Sequence, residues 1–320
     1  MKVVFMGTPD FAVPVLDRLV ENNYNVELVV TQPDRPKGRK QQLTPPPVKI
    51  AAEKHGIPVF QPEKIKEEKE WKRVEEVNPD IIITAAFGQI LPKEILDIPP
   101  LGCINVHASL LPKYRGGAPI HQAIIDGEEE TGITIMYMVE KLDAGDIISQ
   151  HSIPIEETDN TGTMHEKLSQ LGAELLLETL PQIEEGSIVA IAQDEDEVTF
   201  APNITKDKEI IHWDQPARSI FNQVRGLRPW PVAYTTFNGT RIKIWDSEEA
   251  TEYKKHSEAP GTVLSITEDG IYVACSDQTI LKLKEIQPSG KTRMNIKTFL
   301  QGAAREWTEG MRLGEGNEAR

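Results

Sequence analysis

Six consecutive residues, Ile81-Ile82-Ile83-Thr84-Ala85-Ala86, constrain this chain most. Successive side chains on a strand point to opposite faces, so a run that is apolar on both parities needs both faces covered. That is the signature of a buried strand in a parallel sheet flanked by helices. Val3-Val4-Phe5-Met6, ending at Gly7, and Val26-Glu27-Leu28-Val29-Val30-Thr31 repeat the signal. Between the runs the period changes. Phe11, Val15, Leu16, Leu19 and Val20 lie at helical spacing, with Pro14 in the first turn. Helical signal returns at Val48-Lys49-Ile50-Ala51-Ala52 and over residues 63–77. Ile57-Pro58-Val59-Phe60 reads as a short strand at an edge, because proline donates no ladder hydrogen bond. Strand alternating with helix predicts an α/β fold, a doubly wound and mostly parallel sheet.

The architecture is thus Rossmann-like, but the dinucleotide fingerprint is missing. Gly7 stands alone before Thr8-Pro9-Asp10, whereas that fingerprint needs three glycines. Past residue 130 the pattern shifts. Residues 131–139 alternate, and 147–153 follow after a glycine-containing turn, as in an antiparallel pair. Residues 161–184 read as one long helix. The signal then fades into acidic sequence around Asp194-Glu195-Asp196-Glu197. Beyond a short helix at 216–224, strand patterns occupy 231–237, 240–246, 261–267, 271–275 and 279–286, with Asn238-Gly239 as a hairpin signal. A helix at about 295–305 ends the series. The expected organisation is a first domain over 1–189, a linker over 190–208 and a small C-terminal β-barrel of the oligonucleotide-binding type over 209–320.

The chain has 320 residues, 39% hydrophobic and 27% charged, within the range of soluble globular proteins. Cys103 and Cys275 are far apart and unpaired in spacing, which excludes a disulfide framework or zinc knuckle and suits a reducing cytoplasm. The first apolar run is too short for a signal peptide, and no run reaches membrane-span length. A net charge of −15 argues against unspecific coating of nucleic acid. The acidic excess sits in residues 1–205; residues 206–320 are nearly neutral. Within the acidic half, residues 31–49 carry Arg35, Lys37, Arg39, Lys40 and Lys49 against Asp34 alone. This long, proline-studded loop is either a solvated surface loop or one that orders around a polyanion.

Chemistry centres on Cys103-Ile104-Asn105-Val106-His107, a strand that runs into a Gly/Pro-rich loop. Alternation puts Asn105 and His107 on one face at a strand end, where open α/β sheets bind ligands. An isolated Asn-x-His is equally what a buried pair near a turn looks like. Asp143 and Asp146 lie in the turn of the antiparallel pair, where turn carboxylates are common. If Asp143 reaches His107, a carboxylate orients an imidazole and an amide faces a developing oxyanion. That set suits acyl transfer to an amine, with no Ser or Cys nucleophile. A metal site from His107, His121 and Asp143 matches no common ligand spacing, so no metal is expected.

Asn105-x-His107, Ser109-Leu110-Leu111-Pro112 and Leu142-Asp143-x-Gly145-Asp146 together resemble the formyltransferases that use 10-formyltetrahydrofolate. Gly7-Thr8-Pro9-Asp10-Phe11-Ala12, Thr31-Gln32-Pro33-Asp34-Arg35-Pro36 and Arg228-Pro229-Trp230-Pro231 narrow the resemblance to the branch whose acceptor is initiator methionyl-tRNA. It runs from the first residue to about residue 307. The resemblance implies transfer of the formyl group from N10 of the folate to the α-amino group of methionine on that tRNA. It implies that Asn105 stabilises the oxyanion, that His107 handles protons, and that Asp143 holds and charges His107 and positions a water. Ser109, Leu110, Leu111 and Pro112 would line the folate site, with Phe87, Gly88, Gln89, Ile90 and Leu91 near the pterin. Arg35, Lys37, Lys40 and above all Arg39 would meet the tRNA acceptor end, and the C-terminal barrel would also hold tRNA.

Three other readings compete. A sister formyltransferase acting on an amino sugar or a glycinamide nucleotide would share the catalytic trio, although the basic loop and the second domain speak against the nucleotide enzyme. A nicotinamide-dependent oxidoreductase lacks its glycine fingerprint. An RNA-binding module without catalysis leaves Asn105, His107 and Asp143 unexplained.

Overall fold

The structure is a computed structural model that describes residues 1–38, 41–252, 256–302, 304 and 306–315. Its first strands are β1 (Lys2–Gly7), β2 (Asn25–Val30), β3 (Arg35–Lys37), β4 (Gln42–Thr44), β5 (Val59–Phe60), β6 (Ile81–Ala85), β7 (Cys103–His107), β8 (Glu130–Tyr137) and β9 (Ile147–Pro154). The helices among and after them are α1 (Val13–Glu21), α2 (Pro47–Lys54), α3 (Glu68–Glu75), α4 (Lys93–Leu96), α5 (Pro119–Asp126) and α6 (Thr161–Glu184). Then come α7 (Ala217–Gly226), β10 (Tyr234–Phe237), β11 (Thr240–Glu249), β12 (Val263–Thr267), β13 (Gly270–Ala274), β14 (Ile280–Pro288), β15 (Met294–Asn295) and α8 (Ile296–Gly302).

The chain divides into two compact units. The first holds Met1–Pro119, Glu130–Pro154 and His165–Pro202; the second holds Ile120–Glu129, Ile155–Met164 and Asn203–Arg320. The first unit is built on a seven-stranded sheet of order β5-β2-β1-β6-β7-β8-β9. The strands from β5 to β7 pair in parallel, while β8 and β9 are antiparallel. The expected mostly parallel α/β sheet is therefore what forms. The apolar runs explain it: Val3 to Met6 and Ile81 to Ile83 are wholly inaccessible. On one face Val4, Met6 and Ile82 pack with Val74 of α3 and Ile95 of α4. On the other, α6 lies close enough to β7 that a Cβ at Gly172 would stand 2.8 Å from Val106 Cγ1. Cys103 belongs to the cluster on the first face. By alternation Asn105 and His107 share its side, and Val106 takes the opposite one toward α6.

Several local expectations are revised. Residues 34–47 are not one open loop, because β3 and β4 form a two-stranded ribbon pairing Arg35 with Thr44 and Lys37 with Gln42. The charged helix expected over 63–77 covers only Glu68–Glu75. Ile65 is buried, and its N–H donates to Gln89 Oε1 at 2.8 Å, which holds that residue outside the helix. Residues 190–202, expected as the start of a linker, are built into the first unit. Ile191 exchanges backbone hydrogen bonds with Ile147, and Arg115 exchanges them with Thr199 and Ala201.

The second unit is a separate antiparallel β-sheet domain. Its strands run β10-β11-β14-β13-β12, with β15 added on β14. All five expected strands are present, and β15 is a short sixth. Ile220 and Val224 of α7 join Ile242, Ile244, Val273, Leu281 and Leu283 of the sheet in one apolar core. The buried Trp213 indole donates from Nε1 to Thr235 Oγ1 at 3.0 Å. Among the described residues no helix is long and apolar enough to cross a membrane.

Candidate active site

β7 delivers its two polar side chains where the parallel sheet ends. Asn105 stands opposite Thr84 of β6, and His107 opposite Thr134 of β8. Thr84 Oγ1 donates to Asn105 Oδ1 at 2.7 Å. The amide oxygen is thereby occupied, which leaves the NH2 end as the group that can donate. A group that stabilises a developing oxyanion must be a donor.

His107 is buried, and its Nε2 lies 3.0 Å from the Tyr114 carbonyl oxygen. A carbonyl only accepts, so Nε2 carries the hydrogen and the lone pair of the neutral ring sits on Nδ1. That nitrogen is 3.8 Å from Asp143 Oδ1. The separation is inside ion-pair range but too long for a direct hydrogen bond. Two groups thus face the ring, one at each nitrogen. The Tyr114 carbonyl fixes the tautomer, and Asp143 faces the basic nitrogen.

Asp143 is itself held in an uncommon conformation. Its φ is +47°, in the left-handed region that residues with a Cβ seldom adopt. Its Oδ2 accepts from the Gly116 N–H at 2.8 Å, and its carbonyl accepts from Gln193 Nε2 at 2.8 Å. Gln193 Nε2 also donates to the Gly145 carbonyl at 2.7 Å. Gly145 is needed here, because a Cβ would lie 1.8 Å from the Tyr137 carbonyl oxygen.

The loop after β7 hangs on Thr134, which is wholly buried. Its hydroxyl donates to the Ser109 carbonyl at 2.7 Å and accepts from the Leu111 N–H at 3.1 Å and from Gln150 Nε2 at 2.8 Å. Gln150 Nε2 also reaches the Leu111 carbonyl at 2.7 Å. The Tyr114 N–H donates to Thr199 Oγ1 at 2.9 Å. Both flanks of the loop are thereby pinned, and the Tyr114 carbonyl with them.

The residues expected to hold folate divide into two groups. Phe87, Leu91, Ser109 and Leu111 are buried, and Ser109 Oγ donates to the Lys113 carbonyl at 2.7 Å. Their side chains do not offer surface to a ligand. Gln89 is also committed, accepting from Ile65 N–H and donating from Nε2 to the Pro62 carbonyl at 3.1 Å. Gly88, Ile90, Leu110 and Pro112 remain at least partly accessible, and Ile90 is 77% exposed. The Phe87 carbonyl accepts from Thr8 Oγ1 at 2.8 Å and Gln32 Nε2 at 3.2 Å, across the crevice between β1 and β6 where the strand order reverses.

Of the basic residues expected to meet tRNA, Arg39 and Lys40 lie outside the described residues. Arg35 and Lys37 are exposed on β3, and Arg35 Nη2 pairs with Glu63 Oε2 at 2.7 Å. Lys49 is not part of a free basic patch, since its Nζ holds both oxygens of Asp34 at 3.0 and 2.9 Å. Hydrogen bonds from Gln61 and from Lys49 lower the Asp34 pKa. Among the described residues of the second unit several cations face a carboxylate: Arg218 with Glu157, Arg228 with Asp246, Arg241 with Glu209, and Arg293 with Glu285.

Burial pushes the Cys103 pKa up to about 12, so the sulfur stays protonated at neutral pH. Among the described residues no group of three or more His, Cys, Asp or Glu could hold a metal ion. Sequence reasoning missed Thr84, Thr134, Tyr114, Arg115 and Gln193. Arg115 stands in Tyr114-Arg115-Gly116-Gly117 and is wholly buried, a position that nothing in a polar, glycine-rich loop foretells.

Comparison with known proteins gives the family. The formyl transferase family model matches residues 1–180, and the model of the formyl transferase C-terminal domain matches residues 203–304. The methionyl-tRNA formyltransferase of Halalkalibacterium halodurans is 60% identical over 98% of both chains. Those of Geobacillus sp. (strain WCH70) and Bacillus subtilis (strain 168) are each 57% identical, over 100% and 99% of both chains. Among solved structures, HypX from Aquifex aeolicus in complex with tetrahydrofolic acid has a TM-score of 0.65 at 17% identity, covering 97% of this chain and 48% of that one. The chain thus spans about half the length of HypX. The sugar 3N-formyl transferase WlaRD has a TM-score of 0.66 at 19% identity, covering 91% of this chain and 99% of that one. These likenesses to solved structures show the fold; the family models and the full-length relatives show that the chain belongs to the formyl transferase family.

Proposed function

We infer that this chain transfers the formyl group of 10-formyltetrahydrofolate to the α-amino group of methionine on initiator methionyl-tRNA, for translation initiation in the cytoplasm. The observation that carries the chemistry is the approach of His107 Nδ1 to Asp143 Oδ1 beside Asn105, whose amide oxygen is taken by Thr84. The choice of acceptor rests on full-length relatives of 57–60% identity that carry the methionyl-tRNA formyltransferase name.

The folate supplies an activated formyl group at N10. The amine attacks the formyl carbon, the bond from that carbon to N10 breaks, and N10 needs the proton that the amine gives up. Asn105 donates its amide hydrogen to the formyl oxygen as charge develops there. His107 takes the proton at Nδ1, the nitrogen that the Tyr114 carbonyl leaves basic, and returns it to the leaving nitrogen. Asp143 stabilises the ring while it is charged and orders a water beside the pair. Gly88, Ile90, Leu110 and Pro112 border the folate, and Phe87, Leu91, Ser109 and Leu111 hold that border in shape. Lys37, Arg35, Arg39 and Lys40 meet the tRNA acceptor end, and the second unit holds the tRNA body.

The deciding experiment offers 10-formyltetrahydrofolate with charged initiator tRNA, uncharged tRNA or a nucleotide-linked amino sugar. Formyl-methionine is expected with the first alone. Formylation of the sugar and not of the tRNA would contradict the acceptor assigned here.

A further inference from the structure

We propose that Gln193 is a positioning residue for the Asp143 carboxylate. The inference rests on the reading that Asp143 works with His107. Gln193 lies outside every strand and helix, 50 residues beyond Asp143 in sequence. Its amide hydrogens are shared between the carbonyls on either side of Ala144, at 2.8 Å to Asp143 and 2.7 Å to Gly145. Those two contacts clamp the turn in which Asp143 takes its left-handed φ of +47°.

The clamp is anchored in turn. Gln193 Oε1 accepts from Arg115 Nε at 3.0 Å and from Arg115 Nη2 at 2.8 Å. Arg115 Nη2 also reaches Glu195 Oε1 at 3.0 Å, and Glu195 Oε2 accepts from Lys141 Nζ at 2.6 Å. Hydrogen bonds from Lys141, and then from Arg115, lower the Glu195 pKa, so the pair stays charged. The residue after Arg115 donates its own N–H to Asp143 Oδ2. One cation thus governs both handles on Asp143: the backbone through Gln193 and the carboxylate through Gly116.

Arg115 is wholly buried, and among the described residues its Nη1 has no hydrogen-bond partner. A buried cation with an orphaned donor is a poor device for stability alone. Its position is explained by what it holds. Without the clamp the turn relaxes toward an ordinary φ, and Oδ1 leaves its place 3.8 Å from His107 Nδ1. The loss falls on turnover, because the residues that border the substrates do not move.

The test is Gln193→Glu, measured by single-turnover formyl transfer to methionyl-tRNA. Glutamate still offers an oxygen to Arg115, so the buried cation keeps its partner, but it cannot donate to two carbonyls. The expected result is a turnover rate lower by about tenfold or more, with KM for both substrates within about twofold. In an Asp143→Asn background the same change should cost less than about twofold, since the carboxylate it positions is gone. Turnover of Gln193→Glu at the wild-type rate, or an equal loss in both backgrounds, would overturn the proposal. If Gln193→Glu fails to fold by circular dichroism, Gln193→Asn, which keeps the amide but shortens its reach, is read by the same two criteria. Wild-type turnover by Asp143→Asn alone would overturn the reading of the site, and this inference with it. An inactive Asp143→Asn beside a fully active Gln193→Glu would overturn this inference only.

Discussion

The Tyr114 carbonyl oxygen, 3.0 Å from His107 Nε2, decides which nitrogen of the ring is basic. It comes from the loop after β7, so the tautomer of His107, the proposed proton carrier, depends on how that loop is held. His107→Ala removes the carrier. Turnover should fall by roughly 10²–10⁴-fold, the usual worth of a positioned acid–base group, with folate binding nearly unchanged. Equilibrium folate binding beside single-turnover kinetics checks this; loss of the fold instead would mean that the ring is structural.

Asn105→Asp keeps an oxygen to accept from Thr84 and exchanges the amide for a carboxylate. Losing one oxyanion donor typically costs about 10²–10³ in kcat, and this exchange also adds repulsion. KM for methionyl-tRNA should stay within about threefold. A rate near that of the wild type would remove Asn105 from the chemistry.

Thr134→Val deletes a buried hydroxyl that serves the Ser109 carbonyl, the Leu111 N–H and Gln150 together. Leaving such groups without partners should cost about 2–3 kcal/mol in stability. Amide exchange at residues 109–114 should quicken before that of β6 and β7. Urea unfolding with hydrogen exchange measures both; unchanged protection in the loop would contradict the role given to Thr134.

Lys37→Ala tests the ribbon. Phosphate contacts are salt-dependent, so KM for tRNA should rise and the slope of log affinity against log salt should shrink by about one. KM for the folate should not move. Arg39→Ala is expected to act in the same direction on tRNA use. A parallel change in both KM values would place these residues elsewhere than at the tRNA.

Burial raises the pKa values of Cys103 and Cys275 to about 12. At pH 8 both thiols therefore stay protonated in the fold and should not react with iodoacetamide. In denaturant, where each returns to the ordinary value near 9, both should alkylate. Mass spectrometry of the intact protein reads the difference. Labelling of the native protein would contradict the buried placement.

What could be read in advance followed from periodicity. Ile81 to Ala85 could only be a strand covered on both faces, and α6 keeps the bounds 161–184 that its leucine spacing implied. Alternation along β7 likewise put Asn105 and His107 on one side. Asp143 carried no such signal, since a carboxylate in a glycine turn has many uses. Gln193 and Arg115 were invisible because their bonds join residues far apart in sequence and repeat at no period. The ribbon of β3 and β4 was hidden for another reason: exposed polar strands lack the apolar alternation by which strands are recognised. Ser109 and Leu111 sat in the right motif, but their burial depends on Thr134 in a strand two dozen residues later.

Rapid-quench measurement of formyl-methionyl-tRNA in a single turnover, on the wild type and on Asp143→Asn, tests the central claim most directly. The carboxylate facing His107 Nδ1 predicts product with the wild type and a rate at least about 100-fold lower with the variant, at unchanged folate affinity. Equal rates, or no formyl-methionine with the wild type, would contradict the account.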